Sequence, residues 1–400
     1  MNHGSFWRRS EWGLLAAIIT VILLTILCDP QHNYWHNPGA SAVLIARQTA
    51  LLGLFALGSA VVIISGGIDL SSGSVIAFSG TTCAVFLSML AGDEIKRGDP
   101  IGVGAMALAI TGTLVIGFLI GSLHAWLITV IGLPPFVATL ATLVALRSLG
   151  RAIVENYTKE LTGSGSTQID IADPGFRYLA TSVWIPVVLF IVMTIVIWLL
   201  MSRTVVGRHL YALGGNEAAT RLSGIRTESL KWLAYCISAM LASLAGVLYV
   251  CDQSAASPEK LGRGYELNAI AAAVVGGCSL RGGVGTIPGT MLGCVFLRVV
   301  TDGIAKIIKT NADVYEGLIV GVVVVLAVAL NQIRTTTGRR RQTFPGALGV
   351  ATIFNLAASA GVLGWVTGGR WAGAIVAAAA LVMLLTVKIL QARRPETTSA

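Results

Sequence analysis

The sequence predicts an all-α protein that crosses a membrane many times. Of its 400 residues, 55% are hydrophobic and only 12% are charged, whereas charged residues make up about a quarter of an ordinary soluble domain. Apolar runs that can cross the roughly 30 Å hydrocarbon core of a bilayer recur along the whole chain. These runs lie at 13–28, 43–65, 74–91, 101–131, 135–150, 183–202, 231–251, 267–300, 315–332, 346–365 and 371–390.

The number and grouping of these runs predict the organisation of the chain. Glycines interrupt the run at 267–300, which is expected to hold two spans, so that about twelve crossings result. About ten of them form a membrane domain over 1–334. An arginine-rich link over 335–344 follows, and the last two crossings form a two-helix membrane extension with a tail over 345–400.

The distribution of Lys and Arg among the loops predicts the orientation, because loops rich in these residues stay in the cytoplasm. Basic residues gather before the first span, in the 203–231 segment, in the 335–344 link and near the C-terminus. Both termini and the 203–231 segment are therefore expected in the cytoplasm, and the polar 151–182 segment on the outer side. The net charge of +9 follows from this pattern and requires no nucleic-acid partner.

A short polar helix is predicted over 216–224, between two spans. Asn216 is a good N-cap, Glu217 places negative charge at the helix N-terminus, and Gly224 occupies the position of a left-handed C-cap. Glu217 and Arg221 are spaced as an i,i+4 ion pair on one side. The small or apolar residues of the other side are Ala218, Leu222 and Ile225.

A helix of about two turns is marginal in water on its own, so something must pack against the 216–224 helix. Two interpretations stay open from this segment alone. It is either a docking element for another protein or a capped surface turn that joins two spans.

Two further segments share the pattern G-G-x-x-L-x-x-G, at 66–73 and at 276–283, and each interrupts a long apolar run. Irregular backbone at membrane depth survives only where protein or water satisfies its polar groups, so paired breaks indicate a translocation pathway. Gly67, Asp69, Ser71 and Gly277 are the candidate residues. Asp69 has a competing role, which is to cap the next span together with Ser71 or Ser72.

Three more pathway candidates flank later spans. Phe136 ends the sequence Leu-Pro-Pro-Phe, whose prolines suit the start of a helix. Glu266 and Asn268 bring a carboxylate and an amide to the outer end of a span, and such groups hold sugar hydroxyls. For Glu266 the competing role is a favourable charge at a helix N-terminus.

The sequence lacks the motifs of an enzyme. It contains no G-x-x-x-x-G-K-[ST] and in fact no Gly-Lys pair, so it does not have that device for nucleotide phosphates. No metal-type or catalytic arrangement is found, and we expect no cofactor in this chain. Two other classes stay open: a gradient-driven secondary transporter or channel, motivated by Asp69 and the broken spans, and a membrane enzyme drawing on Asp69, Glu266 and His124.

The chain resembles the membrane-spanning permease subunits of bacterial ABC importers for ribose, xylose and arabinose, from about residue 13 to 334. The resemblance rests on four segments, which are 67–74 (GIDLSSGS), 133–140 (LPPFVATL), 214–225 (GGNEAATRLSGI) and 264–286 (GYELNAIAA…GGCSLRGGVGT). Members of that family usually stop soon after the span that ends here near Asn331, so the two spans beyond it are a departure.

The resemblance implies how this chain would work. It implies a permease pair, expected to be a homodimer, with two cytoplasmic ATPase subunits that bind ATP and Mg, and a periplasmic or lipid-anchored sugar-binding protein. The expected location is the bacterial cytoplasmic membrane, and the expected sugar is ribose-like. The residues that would couple the permease to the ATPase are Asn216, Glu217, Ala218, Ala219, Arg221 and Leu222.

Overall fold

The computed structural model describes residues 3–307 and 346–392, together with residues 317, 321, 322 and 325. In this part of the chain the ordered elements are helices and one pair of two-residue strands. They are α1 His3–Cys28, α2 Asn33–His36, α3 Pro38–Ile64, α4 Ser72–Leu90, α5 Gly92–Arg97, α6 Val103–Thr129, α7 Pro135–Thr162, β1 Ile169–Asp170, α8 Pro174–Thr181, α9 Trp184–Arg203, α10 Val205–Gly215, α11 Glu217–Leu222, α12 Thr227–Gln253, β2 Ala255–Ala256, α13 Tyr265–Val275, α14 Ile287–Ile307 and α15 Gly346–Ala392.

Nine of the helices in the described residues are long and apolar enough to cross a membrane. They are α1, α3, α4, α6, α7, α9, α12, α14 and the 369–386 part of α15. The predicted all-α, multi-pass fold is therefore confirmed. The predicted span at 315–332, apart from four single residues, and the 335–344 link lie outside the described residues.

The chain divides into two compact units, 1–331 and 332–400. In the second unit, Gly369 has a backbone that is not helical, with φ of 81° and ψ of 179°, and it divides α15 into two helices. The two helices pack against each other through small residues. Gly361 faces Ala377, and Gly373 faces the backbone and β-carbon of Trp365.

In the first unit, α3, α4 and α12 form the buried centre, whereas α1, α6 and α9 are mostly exposed at its periphery. Apolar side chains gain nothing by leaving lipid for a helix interface, so these helices approach through small residues instead. Gly58 of α3 lies against Ser238 of α12, and Gly246 of α12 lies against Ile76 of α4. On the face of α12 that points toward the periphery of the bundle, Gly121 of α6 packs on the backbone of Cys236.

The run at 267–300 is split at its glycines as predicted, but its first part is not a full span. That part forms α13, whose 11 residues make a helix about 16 Å long, half of what a bilayer core requires. The correction has a physical cause: the chain enters α13 through an irregular segment at 257–264, which ends in left-handed Gly262 and Gly264.

The unit has two distinct ends. At one end, the C-terminus of α3, the break between α13 and α14, and α10 meet. At the other end, β1 and β2 pair antiparallel, with Ile169 opposite Ala256, and Arg151 of α7 pairs with Glu259 at 2.8 Å.

Candidate coupling site

The short helix α11 has the ends that the sequence predicts. The side-chain oxygen of Asn216 accepts a 3.0 Å hydrogen bond from the amide of Ala219, which is the N-cap geometry. Gly224 adopts the left-handed conformation with φ of 80° just past the helix. The helical residues themselves are Glu217–Leu222, so the predicted range 216–224 includes both caps.

The charged side of α11 faces its own chain. Lys231 of α12 donates a 2.6 Å hydrogen bond to Glu217. Arg221 donates at 2.8 Å to Glu228 and lies 3.5 Å from Glu217, the predicted i,i+4 partner. These ion pairs fix α11 to the start of α12. Glu217 and Arg221 thus set the position of the helix and are already engaged within the chain.

The other side of α11 is small, apolar and exposed. Ala218 and Ala219 are exposed, and Leu222 is 90% exposed. Ile225, expected on the same side, instead packs against the core. A leucine held in water by a capped and ion-paired helix forms a defined apolar projection. We call Ala218, Ala219 and Leu222 the docking face.

In the helix before α11, one residue, Gly214, touches both glycine breaks. A β-carbon at Gly214 would clash with the carbonyl of Ile64 and would lie 2.5 Å from the amide of Gly283 and 3.0 Å from that of Gly66. Ile64 is the last residue of α3, Gly66 belongs to the first break and Gly283 to the second. Three backbones therefore meet at a point where only glycine fits.

A side-chain hydrogen bond joins the same elements. Tyr211, one turn before Gly214, donates a 2.8 Å hydrogen bond to the carbonyl of Gly285. Burial raises the pKa of the Tyr211 phenol to about 12, so the hydroxyl stays protonated and able to donate at physiological pH. Sequence reasoning missed Tyr211 and Gly214. Their position immediately before the predicted docking helix was the available signal.

In the first break, Asp69 and Ser71 are buried and bonded to each other. The Asp69 carboxylate accepts from the Ser71 amide at 2.9 Å, from the Ser71 hydroxyl at 2.6 Å, and from the Ser238 hydroxyl of α12 at 2.7 Å. Asp69 therefore fixes the start of α4 and its contact with α12. Gly67 is also buried, against the Tyr235 hydroxyl.

The remaining pathway candidates lie apart. Phe136 is exposed at the start of α7, Asn268 is half-buried on α13, and Gly277 has φ of 97° in the second break. Glu266, at the start of α13, places its carboxylate against Gly73 of α4. The role of these residues in a pathway stays a prediction, as does that of Gly67, Asp69 and Ser71.

Sequence reasoning also missed Arg147, which lies within the membrane-crossing part of α7. Its guanidinium donates to the carbonyls of Pro258 and Gly262 at 3.0 Å and to that of Leu261 at 3.2 Å. Arg147 thereby satisfies the irregular backbone that precedes α13. A charged residue inside an apolar span is a signal that could have identified it.

These features define a class of protein. The protein is a bundle of helices long enough to cross a membrane, interrupted by two glycine breaks. Helix α10 contacts both breaks through its backbone, and α11, which follows it, exposes an apolar face. This arrangement is typical of a membrane transport subunit. The chain belongs to the family described as the permease component of the branched-chain amino acid transport system, which residues 41–328 match. It is a transport component and not an enzyme.

Characterised relatives give the same class. The chain is 32% identical over 331 residues to the ribose import permease protein RbsC of Escherichia coli K12, covering 81% of this chain and 94% of that protein. It is 32% identical to RbsC of Bacillus subtilis, covering 80% and 91%. The D-allose transport system permease protein AlsC of E. coli K12 is 29% identical, covering 83% and 94%. No solved structure matches the chain.

Proposed function

We propose that this chain is the membrane-spanning permease of an ATP-driven importer for a ribose-like sugar. The support for a sugar is that relatives matching more than nine-tenths of their own length are named for ribose or allose import. The family description names branched-chain amino acids instead. Ribose is favoured because ribose permeases from two distant bacteria match about equally well.

The observation that carries the proposal is the docking face. Leu222 is 90% exposed on a helix whose position is set by its N-cap and by the ion pairs to α12. An exposed apolar side chain on a helix that is already positioned loses little conformational freedom on binding, which favours it as an interface hot spot. We assign this face to the binding of a cytoplasmic ATPase subunit. That subunit, and not the permease, would bind ATP and Mg.

The other partners follow from the two ends of the first unit. A sugar-binding protein would meet the end that carries β1, β2 and the Arg151–Glu259 ion pair, opposite the docking face. A second permease copy would complete the pathway as a homodimer. The protein would lie in the cytoplasmic membrane with both termini in the cytoplasm.

The test is capture of the cognate ATPase subunit in mild detergent by wild type, Leu222→Asp and Leu222→Met. Burial of a charge in an apolar pocket is costly, so Leu222→Asp is expected to reduce capture by at least about tenfold, which corresponds to about 1.4 kcal/mol. Leu222→Met keeps an apolar side chain of similar volume and is expected to stay within about twofold of wild type. Equal capture by all three would refute the docking face.

The gradient-driven alternative has less support from the geometry. Asp69 is the main candidate for binding a coupling ion, but both of its carboxylate oxygens accept hydrogen bonds, from Ser71 and from Ser238. A carboxylate held this way serves the fold of the first break. Uptake that survives removal of the ATPase but collapses with an ionophore would favour the alternative.

A further inference from the structure

We propose that Gly214 is the contact through which movement of the docking helix reaches both glycine breaks at once. This inference rests on the proposed function, because it supposes that an ATPase moves α11. Gly214 acts as a positioning residue: it does not touch the ATPase or the transported molecule. It passes the displacement that the ATPase causes in α11 to the two glycine breaks, which are the candidate path of the transported molecule.

The first step is the connection between α11 and Gly214. Helix α10 ends at Gly215 and α11 begins at Glu217, so a single residue, Asn216, separates them. The Asn216 amide donates a 3.0 Å hydrogen bond to Ala212 of α10, while its side chain caps α11. One residue is thus bonded to both helices, and a push on α11 must displace the end of α10.

The second step is the contact of α10 with the breaks. Space for a β-carbon at Gly214 is filled by Ile64 at the end of α3, by Gly66 from the first break and by Gly283 from the second. Reciprocally, a β-carbon at Gly282 would lie 2.6 Å from the Gly214 carbonyl and 2.7 Å from the α-carbon of Gly66. Backbone packed this closely cannot absorb a displacement by side-chain rotation, so it passes the displacement on.

The third step is that hydrogen bonds make the three elements move together. The Gly283 amide donates to the Ile64 carbonyl at 2.9 Å, which links the second break to the end of α3. Tyr211 donates to the Gly285 carbonyl at 2.8 Å, which ties α10 to the chain just after the second break and so holds Gly214 in its contact. Both breaks therefore respond to one helix end.

The glycine next to Gly214 provides a control variant for its proposed role. Gly214 and Gly215 are adjacent on α10, yet a β-carbon at Gly215 would meet nothing within 4 Å. Gly214→Ala and Gly215→Ala make the same chemical change in the same helix, and only the first adds an atom to the three-way contact. Tyr211→Phe provides a second variant that removes one hydroxyl and keeps the packing.

The experiment uses the full chain reconstituted in proteoliposomes with its ATPase and binding protein, and it compares ATPase capture, ATP hydrolysis and ribose uptake. Substitution of a residue that lies between two coupled sites changes the coupling between them, so we expect about tenfold less uptake per ATP hydrolysed in Gly214→Ala than in Gly215→Ala. Capture of the ATPase is expected to stay within about twofold, because the docking face is unchanged. Tyr211→Phe is expected to lower uptake per ATP by about threefold.

Equal uptake per ATP in the two glycine variants would overturn the proposal. If Gly214→Ala does not assemble, Tyr211→Phe decides: wild-type coupling in that variant would overturn the proposal, and reduced coupling would support it. Failure of the proposed function itself is distinct, since wild type would then show no ATP-dependent uptake at all.

Discussion

The amide of Gly283 donates a 2.9 Å hydrogen bond to the carbonyl of Ile64, so the second glycine break is tied directly to the end of α3. The last turn of a helix has carbonyls without partners inside the helix, and here the partner comes from a segment more than 200 residues away in the chain. This bond holds the second break beside the point where α3 ends and the first break begins, and Gly214 of α10 packs against all three.

We expect Glu217→Lys to weaken ATPase capture indirectly, by releasing α11 from α12. The variant loses the 2.6 Å bond to Lys231 and places like charges together. Partly exposed ion pairs contribute about 0.2–1 kcal/mol, so capture should fall by no more than about fivefold. The double variant Glu217→Lys with Lys231→Glu should recover most of the loss, measured by ATPase capture.

The charge exchange has a clear contrary outcome. If the double variant captures as poorly as Glu217→Lys alone, Glu217 contacts the ATPase itself, and the ion pair with Lys231 would not be what positions α11.

Gly121→Ala is expected to destabilise the bundle. A β-carbon there would lie 2.5 Å from the α-carbon of Cys236 and 2.7 Å from the Tyr235 carbonyl, both of them backbone atoms that cannot rotate away. Overpacking of this kind costs about 1–3 kcal/mol. Gly104→Ala, on the same helix with nothing within 4 Å, serves as the control, and a thermal-aggregation midpoint in detergent that is equal for the two would contradict the packing described.

Asp69→Asn should reduce stability while leaving transport by the folded fraction intact. The Asn side chain keeps one acceptor for Ser71 but loses the carboxylate that accepts from Ser238, and a weakened buried hydrogen bond costs about 1–3 kcal/mol. The measurement is ribose uptake normalised to folded protein. Complete loss of normalised uptake would show that the Asp69 charge takes part in transport.

Arg147→Lys should loosen the segment at 257–264. A lysine ammonium is a compact point charge that does not reproduce the fixed fork of a guanidinium, so the three carbonyl contacts of Arg147 are not all kept. Faster hydrogen exchange across 257–264 is expected. Lys159→Arg, about three turns further along the same helix and exposed, should leave that exchange unchanged, and equal exchange in both variants would show that Arg147 does not hold this segment.

The fold class was predictable because its signals are local. Each signal depends on residues that are close together in the sequence. This holds for the apolar runs, for their interruption at 66–73 and 276–283, and for the caps of α11. The short length of α13 was not predictable, because apolar composition continues across 267–275 and the irregular lead-in at 257–264 is held by Arg147 from a distant part of the chain.

The site was predictable only in part, for a related reason. The sequence indicates that α11 has an apolar and a charged side, but it does not show which partners each side meets. Ile225 carries the same periodicity as Leu222, yet it packs on the core while Leu222 is exposed. The meeting of Gly214 with both breaks depends on three segments that only the fold brings together.

Ribose uptake into proteoliposomes that contain the permease, its ATPase and its binding protein distinguishes an ATP-driven permease from a gradient-driven transporter. We expect uptake that requires ATP, persists when ionophores dissipate ion gradients, and falls by at least about tenfold in Leu222→Asp but not in Leu222→Met. Uptake that proceeds without the ATPase, follows an ion gradient and is unaffected by Leu222→Asp would contradict it.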